Sequence, residues 1–209
     1  MQPVAEGHVQ AALPHVSDTV RAMVRVQQLT GCRPGEVVRL RGVDLDMAGD
    51  VWLYRPAGHK TAHHGHGRVI AIGPRAQEVI RPFLKEDPER YLFSPRESRE
   101  SWNAERRRRR KTPMTPSQAR RRRKPSPKRA PGERYTVGTY RNAIRRACLR
   151  AGVPVWHPHQ IRHAVATELR RRYGLETAKA VLGHRTLSAT EVYAQKDLAG
   201  AVRVMGEVG

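Results

Sequence analysis

Cysteine is nearly absent from this chain. Cys32 and Cys148 are its two cysteines, and neither sits in a CxxC pair. Zinc-ribbon and dithiol redox chemistry therefore find little support, at most one disulfide could form, and both thiols are expected in or near the core. Long hydrophobic runs are missing as well. No stretch approaches the roughly 18 to 20 apolar residues of a membrane span, and the opening MQPVAEGHVQ lacks the basic-then-apolar layout of a secretory signal. A soluble, cytoplasmic protein is expected. Acidic residues are scarce: 19 Asp and Glu stand against 40 Lys and Arg, a net charge of +21. Such a surplus predicts a polyanionic partner. At 209 residues, with 38% hydrophobic residues, the chain suits one domain or slightly more and excludes a large multidomain machine.

The charge is uneven, because residues 99–134 alone hold 15 Lys and Arg against Glu100, Glu105 and Glu133. Hydrophobic patterning disappears between residues 98 and 134, where the runs Arg106 to Arg110 and Arg120 to Arg123 alternate with Pro113, Pro116, Pro125, Pro127 and Pro131. This reads as a basic insert or mobile arm.

The rest of the chain carries clearer periodicity. Ser17 is a suitable N-cap for DTVRAMVRVQQLTG, with Val20, Met23 and Val24 at helical spacing and Gly31 as a left-handed stop. Pro34 opens a second, short helix ending near Gly42, with Glu36 in its first turn. Val51–Pro56 and Arg68–Gly73 read as two strands of a hairpin around a long Gly- and His-rich connection. Pro74 starts another helical stretch that Pro82 should kink or shorten, and YLFSP reads as a small extended piece. Helices follow at TVGTYRNAIRRACLRAG, at His159 to Tyr173, over LETAKAVLG to Gly183, and in a last short segment capped by Ser188 that contains Tyr193. The expected fold class is mostly α with a small antiparallel β-hairpin (α+β).

Taken alone, His159 and Arg162 lie three residues apart on one helix face. An imidazole that exchanges protons near neutrality beside a permanently charged planar fork suits phosphoryl transfer, although such pairs also arise on ordinary basic helix faces. His59, His63, His64 and His66 lack a Cys or carboxylate at ligand spacing, so no metal is assigned to them. His159 and His163 at i, i+4 lack the glutamate of a zinc-protease helix.

Three segments together say more. TGCRPGE at 30–36, HQIRHAVAT at 159–167 and LGHRTLSATEVY at 182–193 resemble, in order and spacing, the signature boxes of the tyrosine recombinase or phage integrase family. With Lys60 in the hairpin connection, the resemblance covers nearly the whole chain. It implies that Arg33 and Arg162 clamp a scissile DNA phosphate and that Lys60 protonates the departing 5′ hydroxyl. It further implies that His159 assists proton transfer, that His184 hydrogen-bonds the phosphate, and that Tyr193 is the nucleophile forming a 3′-phosphotyrosyl link. Glu36 would buttress Arg33, His163 would be scaffold, and no metal or small-molecule cofactor would be needed. Tyr193 is the demanding member of the set, because a free phenol titrates near pH ~10 and needs nearby cations and a proton acceptor to react at neutrality.

The implied partners are double-stranded DNA and, on it, further copies of the chain in a synaptic tetramer. Arg106, Arg107, Arg108, Arg109 and Arg110, with Arg120, Arg121, Arg122 and Arg123, would add phosphate contacts of steep salt dependence. The basic insert departs from the short connection usual in the family. A second departure lies at the front: family members carry an N-terminal helical domain that grips the opposite face of DNA, and residues 1–209 are expected to form a single catalytic domain lacking it. Two rivals remain open at this level: a type IB topoisomerase, and a noncatalytic DNA-binding module that keeps the boxes as scaffold.

Overall fold

The computed structural model describes residues 2–57, 68–121, 131–183 and 201–209. Helix α1 (Glu6–Ala12) leads through a 3-10 turn at Leu13–His15 into α2 (Asp18–Thr30). Ser17 Oγ accepts the Val20 N–H at 3.4 Å at one end of α2, and Gly31 adopts φ 64° at the other, as the sequence predicts. Val20, Met23, Val24 and Val26 are all buried, because α2 runs through the middle of the fold and packs on later helices on more than one side. Each aliphatic side chain so buried contributes roughly 1.5–3 kcal/mol.

Helix α3 (Pro34–Val37) is shorter than its sequence suggests, a single turn. Three strands follow, β1 (Leu45–Asp46), β2 (Trp52–Tyr54) and β3 (Ile70–Ile72), in antiparallel order β1-β2-β3. The pair β2–β3 is the expected hairpin, with Leu53 opposite Ala71. Strand β1 was not expected, since two residues carry no readable alternation. Ile70, Ala71 and Ile72 are all buried, so both faces of β3 are covered, which explains its unbroken apolar run.

Helix α4 (Pro74–Ile80) tightens into a 3-10 turn at Arg81–Phe83, where Pro82 removes a helical donor. The YLFSP piece is extended only at its start: Tyr91 bridges to Arg41 and the Leu92 N–H donates to Leu40 O at 2.9 Å, but the chain bends at Leu92 and Phe93 and turns helical at Pro95.

The segment read as an arm is corrected in part. Residues Pro95–Arg108 form a 14-residue helix, α5, and Pro116–Arg120 form a short α6. Capping explains the order of α5, since the helix has hardly any apolar residues to bury. Ser94 caps α5, Pro95 and Glu97 occupy its first turn, and Arg106, Arg107 and Arg108 sit at its C-terminal end, where the helix dipole favours cations. Glu97 ties this end to the body through ion pairs with Lys85 and Arg90. A helix held this way needs no apolar stripe, and Ser98 is the residue it buries.

Helix α7 (Val137–Ala151) begins at the Thr136 cap and stops at Gly152, φ 67°, burying Tyr140, Ile144, Ala147 and Cys148. Helix α8 (Pro158–Leu182) breaks at Gly174, φ 84° and ψ 173°, giving the two expected helical arms, and ends at Gly183, φ 62°. Residues 201–208 are helical. Val204 and Met205 bury there against Ala71, Leu169, Val181 and Leu182 in a second apolar cluster, a docked element that sequence reading did not anticipate. Among the described residues, no helix is long and apolar enough to cross a membrane. Cys32 and Cys148 are both buried, as expected.

Candidate functional site

The loop between α2 and α3 carries Arg33, and buried polar contacts hold it in place. Gln27, fully buried, donates to Cys32 O at 2.9 Å while its own carbonyl accepts the Tyr140 hydroxyl at 2.9 Å. Thr30 Oγ1 accepts the Cys32 N–H at 3.3 Å, and the Tyr54 hydroxyl donates to Glu36 O at 2.9 Å. A loop with its carbonyls and amides claimed in this way presents Arg33 in a defined direction. Burial pushes the Cys32 thiol up to about 12, with Glu36 adding to the rise, so this cysteine is a packing group and no nucleophile.

Arg33 is half-exposed, and its anchor is Glu36. The Arg33 N–H donates to Glu36 Oε2 at 2.6 Å and Nη1 donates to Oε1 at 2.9 Å. The side chain of Glu36 is 4% exposed against 42% for Arg33, so the carboxylate sits below and the guanidinium reaches outward. Although burial pulls the Glu36 pKa upward, Arg68 and the Arg33 hydrogen bonds outweigh it and hold the carboxyl below its usual range.

Arg162 is the buried counterpart, at 6% exposure. Its Nη1 donates to Gly31 O at 2.7 Å and its Nη2 to Leu182 O at 2.7 Å. Both acceptors are at helix C-termini, where carbonyls lack helical partners and the dipole is negative. One guanidinium therefore ties three distant sequence segments together. It grows from the 159–167 box, caps the helix end two residues before Arg33, and caps the helix end two residues before His184. Gly31 makes this closeness possible, since a Cβ there would lie 2.6 Å from Leu182 Cδ2. Burial, then Arg33 and Arg68, lower the Arg162 pKa to about 10, which leaves it cationic at neutral pH.

His159 and His163 are exposed on the first arm of α8. The His159 pKa falls below its ordinary 6.5, chiefly through partial burial and then through Arg162, His163 and Arg33, while Glu36 acts the other way. The imidazole is therefore neutral at pH 7 and able to accept a proton.

The structure thus brings Arg33, Glu36, His159 and Arg162 into one electrostatically coupled corner, with His163 beside it. Lys60, His184 and Tyr193 lie outside the described residues, as do Arg122, Arg123 and the histidines 59, 63, 64 and 66. Arg106 to Arg110, Arg120 and Arg121 are exposed on α5, on α6 and just after each. Sequence reading missed Arg68, whose side chain is 8% exposed with Nε 3.5 Å from Glu36 Oε1. The available signal was a lone cation opening the apolar strand RVIAIG.

The 209-residue chain is 27% identical over 174 residues to the tyrosine recombinase XerC of Bacillus licheniformis, covering 83% of this chain and 48% of that relative. It thus spans about half the length of the curated relatives it matches. Its fold is similar to that of an integrase from mycobacterium phage Brujita, at TM-score 0.60 and 18% identity, over 100% of this chain and 58% of that one. It is also similar to the XerH site-specific recombinase bound to difH substrate in a pre-cleavage complex, at TM-score 0.52 and 16% identity, over 95% of this chain and 50% of that one. The description of the phage integrase family matches residues 8–199, nearly the whole sequence, and the chain belongs to that family.

Proposed function

We propose that this chain is the catalytic part of a site-specific recombinase that cuts and rejoins double-stranded DNA through a 3′-phosphotyrosyl intermediate. The observation that carries this reading is the junction made by Arg162, which joins the loop of Arg33 to the turn before His184 through the carbonyls of Gly31 and Leu182. Two of its five N–H groups are used there. The remaining donors, with the half-exposed fork of Arg33, are suited to the nonbridging oxygens of one phosphate.

The chemistry assigns one task to each group. The Tyr193 oxygen attacks phosphorus and gives its proton to neutral His159. The bond from phosphorus to the 5′ oxygen breaks, and Lys60 supplies that oxygen with a proton. Arg33, Arg162 and His184 hold the phosphate as negative charge builds on it, while Glu36 aims Arg33. Reversal of the same steps by a new 5′ hydroxyl rejoins a strand, so neither metal nor nucleotide is consumed. The basic helix α5, with Arg106 to Arg110, and the Arg120 to Arg123 run supply sequence-independent phosphate contacts. Recombination between two sites brings copies of the chain together in a synaptic tetramer, acting in the cytoplasm. The XerH recombinase bound to difH, which shares this fold, supports DNA as the partner.

A nicked suicide DNA substrate tests the reading, because loss of the short 5′ fragment prevents religation. The wild-type chain should become covalently attached to DNA and Tyr193→Phe should not. Equal attachment by both removes Tyr193 from the mechanism. Salt-sensitive DNA binding with no adduct from either would leave a noncatalytic binding module, and relaxation of plasmids without site preference would point to topoisomerase action.

A further inference from the structure

We propose that Arg68, which lies outside all three signature boxes, is a positioning residue of the phosphate clamp: it shares the Glu36 carboxylate with Arg33 and packs beneath the Gly183 turn. The inference rests on the phosphoryl-transfer reading above.

Arg68 stands just before β3, at the end of the hairpin connection. A guanidinium this deeply enclosed is costly unless partnered, and its partners among the described residues include the clamp's Glu36 and the Val181 carbonyl. Nε lies 3.5 Å from Glu36 Oε1, Nη1 donates to Val69 O at 3.1 Å, and both Nη atoms lie 3.5 Å from Val181 O. Gly183 follows closely: a Cβ built there would overlap the Arg68 guanidinium, and its φ of +62° also favours glycine. Arg68 therefore contacts the carboxylate that aims Arg33 and the turn from which the segment of His184 and Tyr193 departs.

Charge explains why the position holds a cation. Among the described residues, the guanidiniums of Arg33, Arg68 and Arg162 interact with one carboxylate, that of Glu36. If Glu36 had Arg33 as its near partner alone, it would cancel the charge that must meet the phosphate. With the carboxylate divided between two forks, Arg33 stays oriented while the corner keeps a surplus of positive charge for the transition state. Glu36 also faces Cys32, Tyr54 and His159, none of them cationic at neutral pH, so Arg68 and Arg33 together hold its carboxyl in the charged form.

The experiment measures single-turnover covalent trapping on the suicide substrate at saturating DNA, from pH 4.5 to 8. It compares wild type, Arg68→Met and Arg68→Lys, each also in a Glu36→Gln background, with circular dichroism as the check on folding. Arg68→Met should slow trapping roughly ten- to hundredfold, the range typical of lost outer-shell support, while DNA affinity changes by less than about threefold. Its acid limb should move to higher pH, because Glu36 without Arg68 protonates more readily, and that shift should vanish with Glu36→Gln. Arg68→Lys should recover part of the rate. If the methionine variant fails to fold, the lysine variant decides alone through its own acid limb. A wild-type rate from a folded Arg68→Met overturns the inference, as does a slower rate with an unmoved limb, which would make Arg68 a mere strut. A wild-type chain that traps no DNA overturns the phosphotyrosyl reading and this inference together.

Discussion

The corner around Arg162 and the surface of α5 are both rich in arginine, yet they use it in opposite ways. Arg162 is 6% exposed, and each of its named bonds goes to a helix-terminal carbonyl. The side chains of Arg108 and Arg109 are 80% and 79% exposed, and both lean on Glu105. Buried charge in a low dielectric acts strongly over a short range and demands fixed partners, whereas exposed charge is screened within roughly 10 Å at ordinary salt. One region can stabilise a single developing charge at a set point. The other can only raise the local concentration of a polyanion. Trp102, 58% exposed on the same helix, adds an apolar face to that surface without changing its kind.

The sharpest way to break the comparison is to remove the buried member. Arg162→Leu leaves the carbonyls of Gly31 and Leu182 enclosed without donors, at a cost of about 1–3 kcal/mol for each. Total loss should reach about 2–6 kcal/mol, a large share of the roughly 5–15 kcal/mol available to a domain. Urea denaturation should show this as a lower midpoint, with Arg162→Lys falling between, since an ammonium cannot span both acceptors. An unchanged midpoint for Arg162→Leu would mean that the junction does not hold the boxes together.

The exposed member should respond in the other observable. Replacing Arg106 to Arg110 with glutamine should leave the urea midpoint nearly where it was, because these side chains point to solvent and their pairs with Glu105 are weak. DNA affinity should fall, and the log–log salt slope should become shallower by about 0.9 for each phosphate that is no longer neutralised. A slope that does not move would remove this helix from the DNA interface.

These contrasts also mark what could be read from sequence. The cap at Ser17, the glycine stops at Gly31, Gly152 and Gly183, and the interruption at Pro82 are local chemistry, and each appears where the sequence predicts it. Helix α5 carries almost no apolar residues for the sequence to show, and its order comes from Ser94, Pro95 and Glu97 at one end and arginines at the other. The docked stretch 201–208 was missed for a different reason. Its partners Ala71, Leu169 and Leu182 are brought to it by tertiary folding, which no window of sequence contains. Arg33, Glu36, His159 and Arg162 were legible because their boxes are compact. Arg68 was not, since a lone arginine before a strand becomes informative only when its side chain is seen turning inward toward Glu36.

The smallest expected effect concerns protons. In the unfolded chain His159 titrates near its ordinary 6.5, and in the folded protein it titrates lower, because partial burial, the cations Arg162 and Arg33, and the neighbouring His163 disfavour the imidazolium. The unfolded state therefore binds more protons through the window just below pH 6.5. The contribution of His159 to stability is complete above that pH and is lost as pH falls through the folded value. Glu36 acts in the same direction below 4.5, where loss of its charge releases Arg33. Imidazole NMR titration should place His159 below 6.5 in the wild type and higher in His163→Gln, with one neighbouring proton site removed. Bound DNA should raise it further, since a phosphate favours the imidazolium. A His159 that titrates at or above 6.5 without DNA would mean that the arginines of the buried corner do not reach it, and that the group proposed to accept the tyrosine proton is no different from a histidine on the open surface.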